Sequence, residues 1–184
     1  MRSKELVNNI KSIKRGSLLI IFMIILIILL LPIYTLKASN YKTQEYLKSW
    51  WVKKGDRFYI EYTHSIQLTP VIEIYYIDEN GRIILEESYF HSYGAGLPSD
   101  TPYKFEITED GFRIYDINEE MSNLIYRTGA VRANHEITIG GKTYPFLGFS
   151  KPREGVKFEV KKLSLLQYIA KEVYNVTRQV NYRK

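Results

Sequence analysis

The 184-residue sequence contains no cysteine and only three histidines. A disulfide framework, a cysteine nucleophile and a cysteine-ligated zinc site are therefore excluded. The histidines do not occur in the HxH or HExxH spacing of metal sites. The sequence also lacks the GxSxG elbow of serine hydrolases, and its Gly94-Ala95-Gly96 loop lacks the Gly-Lys-Ser/Thr of a phosphate-binding loop. These absences leave few recognisable routes to catalysis, and we expect neither a cofactor nor an enzymatic function.

A continuous basic surface is also missing, although the net charge is +6. The first 16 residues carry +4 and residues 161–184 carry +5, so residues 17–160 carry −3. The positive charge is confined to the two ends of the chain, which does not indicate a face that binds nucleic acid.

The stretch Ser17–Leu31 has no charged residue. Extended to Leu36 it would give a helix of about 30 Å, which matches the hydrocarbon core of a bilayer. A buried helix of a soluble protein is disfavoured because no side of it is polar, and a cleaved signal peptide is disfavoured because small residues are poorly placed for cleavage. We expect a transmembrane anchor at Ser17–Leu36 that contacts the lipid bilayer. The basic segment 1–16 predicts a cytoplasmic N-terminus, and the rest of the chain would be extracytoplasmic.

The region after the anchor has the pattern of an antiparallel β protein. We divide it into a juxtamembrane linker at 37–45, an exported β domain at 46–161 and a basic C-terminal helix at 162–184. Residues rich in Tyr, Ile and Val alternate with polar residues in short runs about ten residues apart. This spacing predicts a β-sandwich-like or open-barrel domain.

Asn80-Gly81 predicts the hairpin around which the domain is organised, since both residues tolerate the positive φ of a type I′ turn. A two-residue loop would pair Ile77 with Ile84 and Glu73 with Ser88, and would bring Pro70 opposite His91. In this hairpin the face with Ile72, Ile74 and Tyr76 is the more apolar one.

The C-terminal segment changes to helical periodicity. Ser164 and Gln167 have the spacing of a capping box, and apolar residues recur at three and four residue intervals. We expect an amphipathic helix over about 165–180. Its basic residues either form a solvated face or contact anionic lipid headgroups.

Two motifs carry a resemblance. Tyr62-Thr63-His64-Ser65 is followed by Thr69-Pro70-Val71 with Glu73 and Tyr75, and then by Tyr93-Gly94-Ala95-Gly96-Leu97-Pro98. Residues 55–148 with these motifs resemble a bacterial family of domains of unknown function. The resemblance implies a small exported or membrane-anchored protein, often encoded beside tripartite ATP-independent periplasmic (TRAP) transporters of the TAXI type. It implies no catalytic residues.

The motif residues are our candidates for binding a ligand or a partner, because the hairpin register brings both motifs to one end of the sheet. The candidates are His64, Ser65, Thr69, Glu73, His91, Tyr93, Gly94, Gly96 and Asp100. If Glu73 is buried it needs a partner, and we predict His64.

The residues leave three functional hypotheses open. The first is a non-enzymatic accessory or binding module associated with a membrane transporter, and it rests on the resemblance and the anchor. The second is a metal-dependent or hydrolytic ectoenzyme that uses His64, Glu73 and His91, since imidazole and carboxylate groups suit several metals. The third is a structural protein of the membrane surface. In the simpler alternative to a metal site, these polar groups satisfy the backbone of buried loops.

Overall fold

The computed structural model describes residues 2–64, 68–91, 101–109, 111–129 and 132–182. Two α-helices flank a series of short strands. The helices are α1 (Arg2–Leu30) and α2 (Leu165–Tyr182). The strands are β1 (Pro32–Asn40), β2 (Tyr46–Val52), β3 (Arg57–Thr63), β4 (Pro70–Ile77), β5 (Ile83–Phe90), β6 (Lys104–Thr108), β7 (Gly111–Tyr115), β8 (Glu119–Glu120), β9 (Leu124–Arg127), β10 (Glu136–Ile139), β11 (Lys142–Pro145) and β12 (Gly155–Ser164). A turn of 3₁₀-helix covers Phe146–Gly148.

The chain divides into two compact units, one containing the two helices and the other spanning Tyr34–Lys162. In the helical unit, the large apolar side chains from Leu18 to Leu31 are 38–72% exposed, apart from that of Leu29. None of the helices within the described residues is long and apolar enough to span a membrane.

The boundary between the first helix and the β domain differs from the prediction. The helix ends at Leu30, and residues 32–40 form β1 instead of the end of a membrane span and a linker. Pro32 explains the end of the helix, because its ring clashes with a preceding helical turn and it has no N–H to donate. Leu36 and Ala38 are then completely buried in the core of the β unit.

The β unit is mainly antiparallel, as predicted, and its sheets do not close. One sheet has the strand order β2-β1-β12-β9. The other has the order β11-β10-β3-β4-β5-β7-β6, with β8 paired to β5. Both sheets contribute side chains to one hydrophobic core, which includes Leu36 and Phe158 from the first sheet and Phe58 and Ile137 from the second.

The central hairpin forms as expected but with a different register near its turn. Ile77 pairs with Ile83, whereas Glu73 pairs with Ser88 as predicted. The carboxylate of Asp78 accepts hydrogen bonds from the backbone N–H groups of Asn80 and Arg82, which makes the loop longer than two residues. A bulge after Ile74 restores the predicted register at the open end of the hairpin.

The face of β4 that is buried in the shared core is not the more apolar face named above. Tyr75 and Ile77 are 1% exposed and belong to the shared core, whereas Ile72 and Ile74 are only partly buried. Apolar residues occupy both faces of this strand, so its sequence does not decide which face meets the second sheet. Glu73 consequently lies on the core-facing side.

The C-terminal helix begins as its capping box predicts. The Ser164 hydroxyl accepts a hydrogen bond from the N–H of Gln167, and the Gln167 side chain accepts one from the N–H of Ser164. The helix extends to Tyr182, two residues beyond the predicted end.

Candidate functional site

The candidate site is centred on Glu73, near the open end of the central hairpin. Its strand, β4, lies between β3 and β5, and Glu73 pairs with Ile60 on one side and Ser88 on the other. Strand alternation places Glu73 and Tyr75 on the same face, directed towards the four-stranded sheet. A carboxylate is thereby carried to the space between the two sheets.

Two tyrosine hydroxyls hold this carboxylate. Tyr126, on β9 of the opposite sheet, donates a hydrogen bond to Glu73 Oε2. The hydroxyl of Tyr75 lies 2.6 Å from that of Tyr126 and 3.4 Å from Glu73 Oε2. A phenol has one proton, so Tyr75 donates to Tyr126 while Tyr126 donates to Glu73. The result is a short hydrogen-bonded chain that connects the two sheets.

Burial controls the proton affinities of these groups. It raises the pKa of Glu73, and the nearby hydroxyls of Tyr126 and Tyr75 oppose this rise only in part. Burial and the neighbouring Glu73 charge also raise the pKa values of Tyr75 and Tyr126. The pKa of Tyr62 rises to about 12 for the same two reasons. The tyrosines therefore remain protonated hydrogen-bond donors throughout the physiological pH range.

Aromatic rings enclose the hydroxyl chain on one side. The ring of His135 stacks on Tyr62 at 5.1 Å between centroids and meets Tyr126 edge-on at 5.9 Å. Its Nδ1 lies 3.3 Å from the backbone nitrogen of Gly129 and accepts the hydrogen bond from that N–H, so the proton of the neutral ring is on Nε2. Burial lowers the pKa of His135, which favours this uncharged form. Phe146 also packs against the imidazole, with 5.5 Å between the ring centroids.

The loops at this end of the sheet are fastened by backbone hydrogen bonds. The N–H of His64 donates to the carbonyl of Thr69 at 2.8 Å, and the N–H of Leu68 donates to the carbonyl of His64 at 3.0 Å. His91 Nδ1 lies 3.3 Å from the carbonyl oxygen of Pro70. The sequence prediction that Pro70 and His91 meet at the end of the hairpin is thus confirmed.

The predicted candidates fall into two groups. The structure describes His64, Thr69, Glu73 and His91, which all lie on β4 or on the segments that border it at this end. Ser65, Tyr93, Gly94, Gly96 and Asp100 lie outside the described residues.

The predicted pairing of Glu73 with His64 is wrong. Among the described residues, the hydrogen-bond partners of the Glu73 carboxylate are tyrosine hydroxyls, and none is a basic side chain. The physical reason is the orientation of β4, which directs Glu73 towards the second sheet, where Tyr126 meets it. Within the residues that the structure describes, no three His, Asp or Glu side chains are grouped as metal ligands.

Sequence reasoning missed the contribution of Tyr126 to the site. Tyr126 is 53 residues away from Glu73 and belongs to a strand of only four residues, Leu124–Arg127. Tyr62 entered the sequence analysis only as part of a motif, and His135 was not predicted to belong to the site. The available signal was the high tyrosine content, 16 residues in 184, but composition does not indicate which tyrosines meet.

Comparison with known proteins gives one match. No curated protein and no solved structure matches the chain. Residues 58–146, from β3 through the 3₁₀-helical turn, match the family described as Domain of unknown function (DUF1850). The match contains Glu73, Tyr126 and His135, so the whole candidate site lies inside it. The predicted resemblance to a domain family of unknown function is confirmed, and over these residues the chain is similar to DUF1850.

Proposed function

We propose that this protein is a membrane-anchored, extracytoplasmic binding module that acts without catalysis as an accessory to a membrane transporter. The observation that carries the proposal is the carboxylate of Glu73, held between two sheets by tyrosine hydroxyls near the open end of the central hairpin. A carboxylate in such surroundings is costly to keep charged without a cation. A group on a binding partner can supply the positive charge that the described residues do not place beside Glu73.

The surroundings of Glu73 favour a cationic or hydrogen-bond-donating group on the partner. The carboxylate offers an acceptor, and the rings of Tyr62 and Tyr126 lie within 6.0 Å of each other beside it. Aromatic faces next to a carboxylate suit an ammonium or guanidinium group, because ring quadrupole and anion both attract it. The ligand class is therefore a small amine or a Lys or Arg side chain of a partner protein.

Binding is favoured over catalysis by the state of the neighbouring groups. The tyrosines have raised pKa values and remain protonated, and Nδ1 of His135 already accepts a backbone hydrogen bond. A general base needs a pKa near the working pH and a free acceptor atom. These groups instead have fixed hydrogen-bonding roles, which suits recognition.

The anchor is supported by the first helix. The stretch from Leu18 to Leu31 is uncharged and its large side chains are mostly exposed, so the apolar surface requires an apolar environment. The charge of +4 in the first 16 residues supports a cytoplasmic N-terminus. The β unit that follows would then be extracytoplasmic.

The transporter part of the proposal depends on the resemblance. The motif combination is typical of domains that are often encoded beside TRAP transporters of the TAXI type. An anchored domain with a small binding site is the architecture that such an accessory role requires.

Affinity purification of the full-length protein from its native membranes tests the proposal. Glu73→Gln removes the charge at the site, whereas Glu87→Gln removes the charge of another glutamate on the neighbouring strand. We expect a transporter subunit, identified by mass spectrometry, to be retained by the wild type and by Glu87→Gln and to be lost in Glu73→Gln. Circular dichroism establishes that each variant is folded. Equal retention by both variants would remove Glu73 from recognition, and the absence of any specific partner would overturn the accessory role.

A further inference from the structure

Helix α2 presents its apolar side outwards. Leu166, Ile169 and Val173 are 47%, 42% and 61% exposed, and Tyr174 beside them is 68% exposed. Their spacing of three and four residues places them on one face of the helix. The hydrogen bonds of the capping box fix where the helix starts, and therefore fix this face.

The polar side of α2 is the more protected one. Tyr168, Lys171 and Glu172, which lie away from Val173 around the helix, are half-buried. A surface helix of a soluble domain has the reverse arrangement, with apolar residues inside and charged residues in water. An exposed apolar stripe of this kind marks a surface that contacts a protein or a membrane.

We propose that α2 lies along the surface of an anionic membrane, with the face formed by Leu166, Ile169, Val173 and Tyr174 inserted at the boundary of headgroups and acyl chains. The inference rests on the proposed membrane anchor. Interfacial helices are amphipathic, have low overall hydrophobicity and carry basic residues.

Continuity with the apolar stretch of α1 indicates the membrane as the occupant. The N–H of Leu165 donates a hydrogen bond to the carbonyl of Leu31 at 3.1 Å, so α2 begins where that stretch ends. Both surfaces are apolar and exposed within the same unit. A bilayer that surrounds the first helix is then available to the second one.

The charge of the segment agrees with an anionic surface. Residues 161–184 carry +5, and each Lys or Arg near such a surface contributes to attraction that salt screens. A docking protein would not require this excess of positive charge. An anionic lipid surface satisfies both the apolar face and the charge.

The absence of cysteine permits a direct test with single spin labels on the full-length chain. The variants Val173→Cys, Lys171→Cys and Ile24→Cys place the label on the apolar face of α2, on its polar face and on α1. Each is reconstituted into nanodiscs of phosphatidylcholine and phosphatidylglycerol, and the accessibility of the label to oxygen and to a water-soluble nickel chelate is measured. Oxygen concentrates in the acyl region, whereas the chelate remains in water.

We expect a shift towards oxygen accessibility at Val173 and Ile24, and towards nickel accessibility at Lys171. Removing phosphatidylglycerol should move the Val173 label towards water. If Ile24 is in the bilayer and Val173 is in water, the inference is wrong and the anchor stands. Protection of Val173 from both reagents would show a protein contact and would also overturn the inference. An Ile24 label in water would contradict the anchor itself, and with it the membrane position of α2.

Discussion

Two Glu-x-Tyr pairs on neighbouring strands of the large sheet have opposite surroundings. On β4, Glu73 accepts a hydrogen bond from Tyr126 of the other sheet, and Tyr75 donates to the hydroxyl of Tyr126. On β5, Glu87 accepts one from Tyr89 at 2.8 Å and two from the guanidinium of Arg113 at 2.8 and 2.9 Å. Each pair thus combines a carboxylate with a tyrosine two residues later, but among the described residues only the carboxylate of Glu87 is bonded to a cation.

The difference shows how one short pattern can produce two electrostatic states. The Arg113 hydrogen bonds lower the pKa of Glu87, so this carboxylate is ionised at neutral pH. Burial raises the pKa of Glu73, whose donors are neutral. A charge that is already compensated contributes to stability, whereas an uncompensated one is available for binding. The comparison indicates a structural role for Glu87 and supports the recognition role that we propose for Glu73.

The largest expected effect comes from removing the side chain that connects the Glu73 cluster to the second sheet. Tyr126→Ala should lower the free energy of unfolding by about 2–4 kcal/mol, because the ring packs against Phe146 and Phe158 and a cavity remains when it is lost. Denaturant unfolding of the full-length protein in mild detergent, followed by tryptophan fluorescence to which the buried Trp50 contributes, measures the change. Tyr126→Phe keeps the ring and should cost only about 1 kcal/mol. Equal losses for the two variants would mean that the hydroxyl, and not the packing, connects the sheets.

The second-largest effect is expected from removing Arg113, the cation that pairs with Glu87. Arg113→Met should destabilise the protein by about 1–2 kcal/mol at neutral pH, after allowance for partial exposure, because Glu87 loses its charged partner. A lowered carboxylate pKa contributes stability above the unfolded value of about 4.3, and this contribution disappears as the pH falls through the lower folded value. The difference between wild type and variant should consequently shrink in acid. Denaturant unfolding between pH 3 and pH 7, at values chosen around the ~4.3 reference, provides the measurement.

Lys104→Met is the matched control for that experiment. Lys104 pairs with Asp116 at 2.5 Å on the open surface, where solvent screens the pair, so its loss should leave stability unchanged. A large effect of Lys104→Met, or a pH-independent effect of Arg113→Met, would contradict the role given to the Glu87–Arg113 pair.

Local sequence signals predicted the parts of the fold that local physics decides. Asn80-Gly81 indicated the hairpin, and Ser164 with Gln167 indicated the start of α2. The register near the turn was wrong because the Asp78 side chain lengthens the loop, and side-chain competition of this kind is not visible in an apolar pattern. A bulge between Ile74 and Tyr75 shifts the strand register by one residue, so the predicted pairing of Glu73 with Ser88 still holds.

The composition of the site depended on contacts that sequence patterns do not encode. The prediction that Glu73 is a key residue rested on its motif, but its partner is set by which face of β4 meets the second sheet. Both faces of β4 carry isoleucine and tyrosine, so packing against the second sheet, and not the strand's own sequence, determines which face is buried. Tyr126 enters through the packing of the two sheets, and no local rule places it beside Glu73.

Neutralising Glu73 should separate stability from binding. Glu73→Gln should leave the protein as stable as the wild type at neutral pH, or more stable by up to about 1 kcal/mol, because the cost of burying the charge is removed. A raised carboxylate pKa lowers stability as the pH rises from about 4.3 through the folded value, so the gap between variant and wild type should close in acid. Denaturant unfolding across this range measures it, with Glu87→Gln expected to lose stability at neutral pH. A clear loss in Glu73→Gln at neutral pH would show that the Glu73 charge is already compensated in the folded protein.

The smallest effect is expected for the tyrosine of the compensated pair. Tyr89→Phe removes one hydrogen bond to Glu87, but both guanidinium hydrogen bonds from Arg113 remain and the Phe ring preserves the contact with the guanidinium 5.6 Å away. The expected loss is about 0.5 kcal/mol, at the lower limit for a hydrogen bond whose acceptor keeps other donors. Tyr75→Phe on the opposite face should cost more, since the Tyr126 hydroxyl then loses its donor in a more buried setting. If the two variants lose the same stability by denaturant unfolding, the two Glu-x-Tyr pairs differ in charge alone and not in how much each depends on its tyrosine.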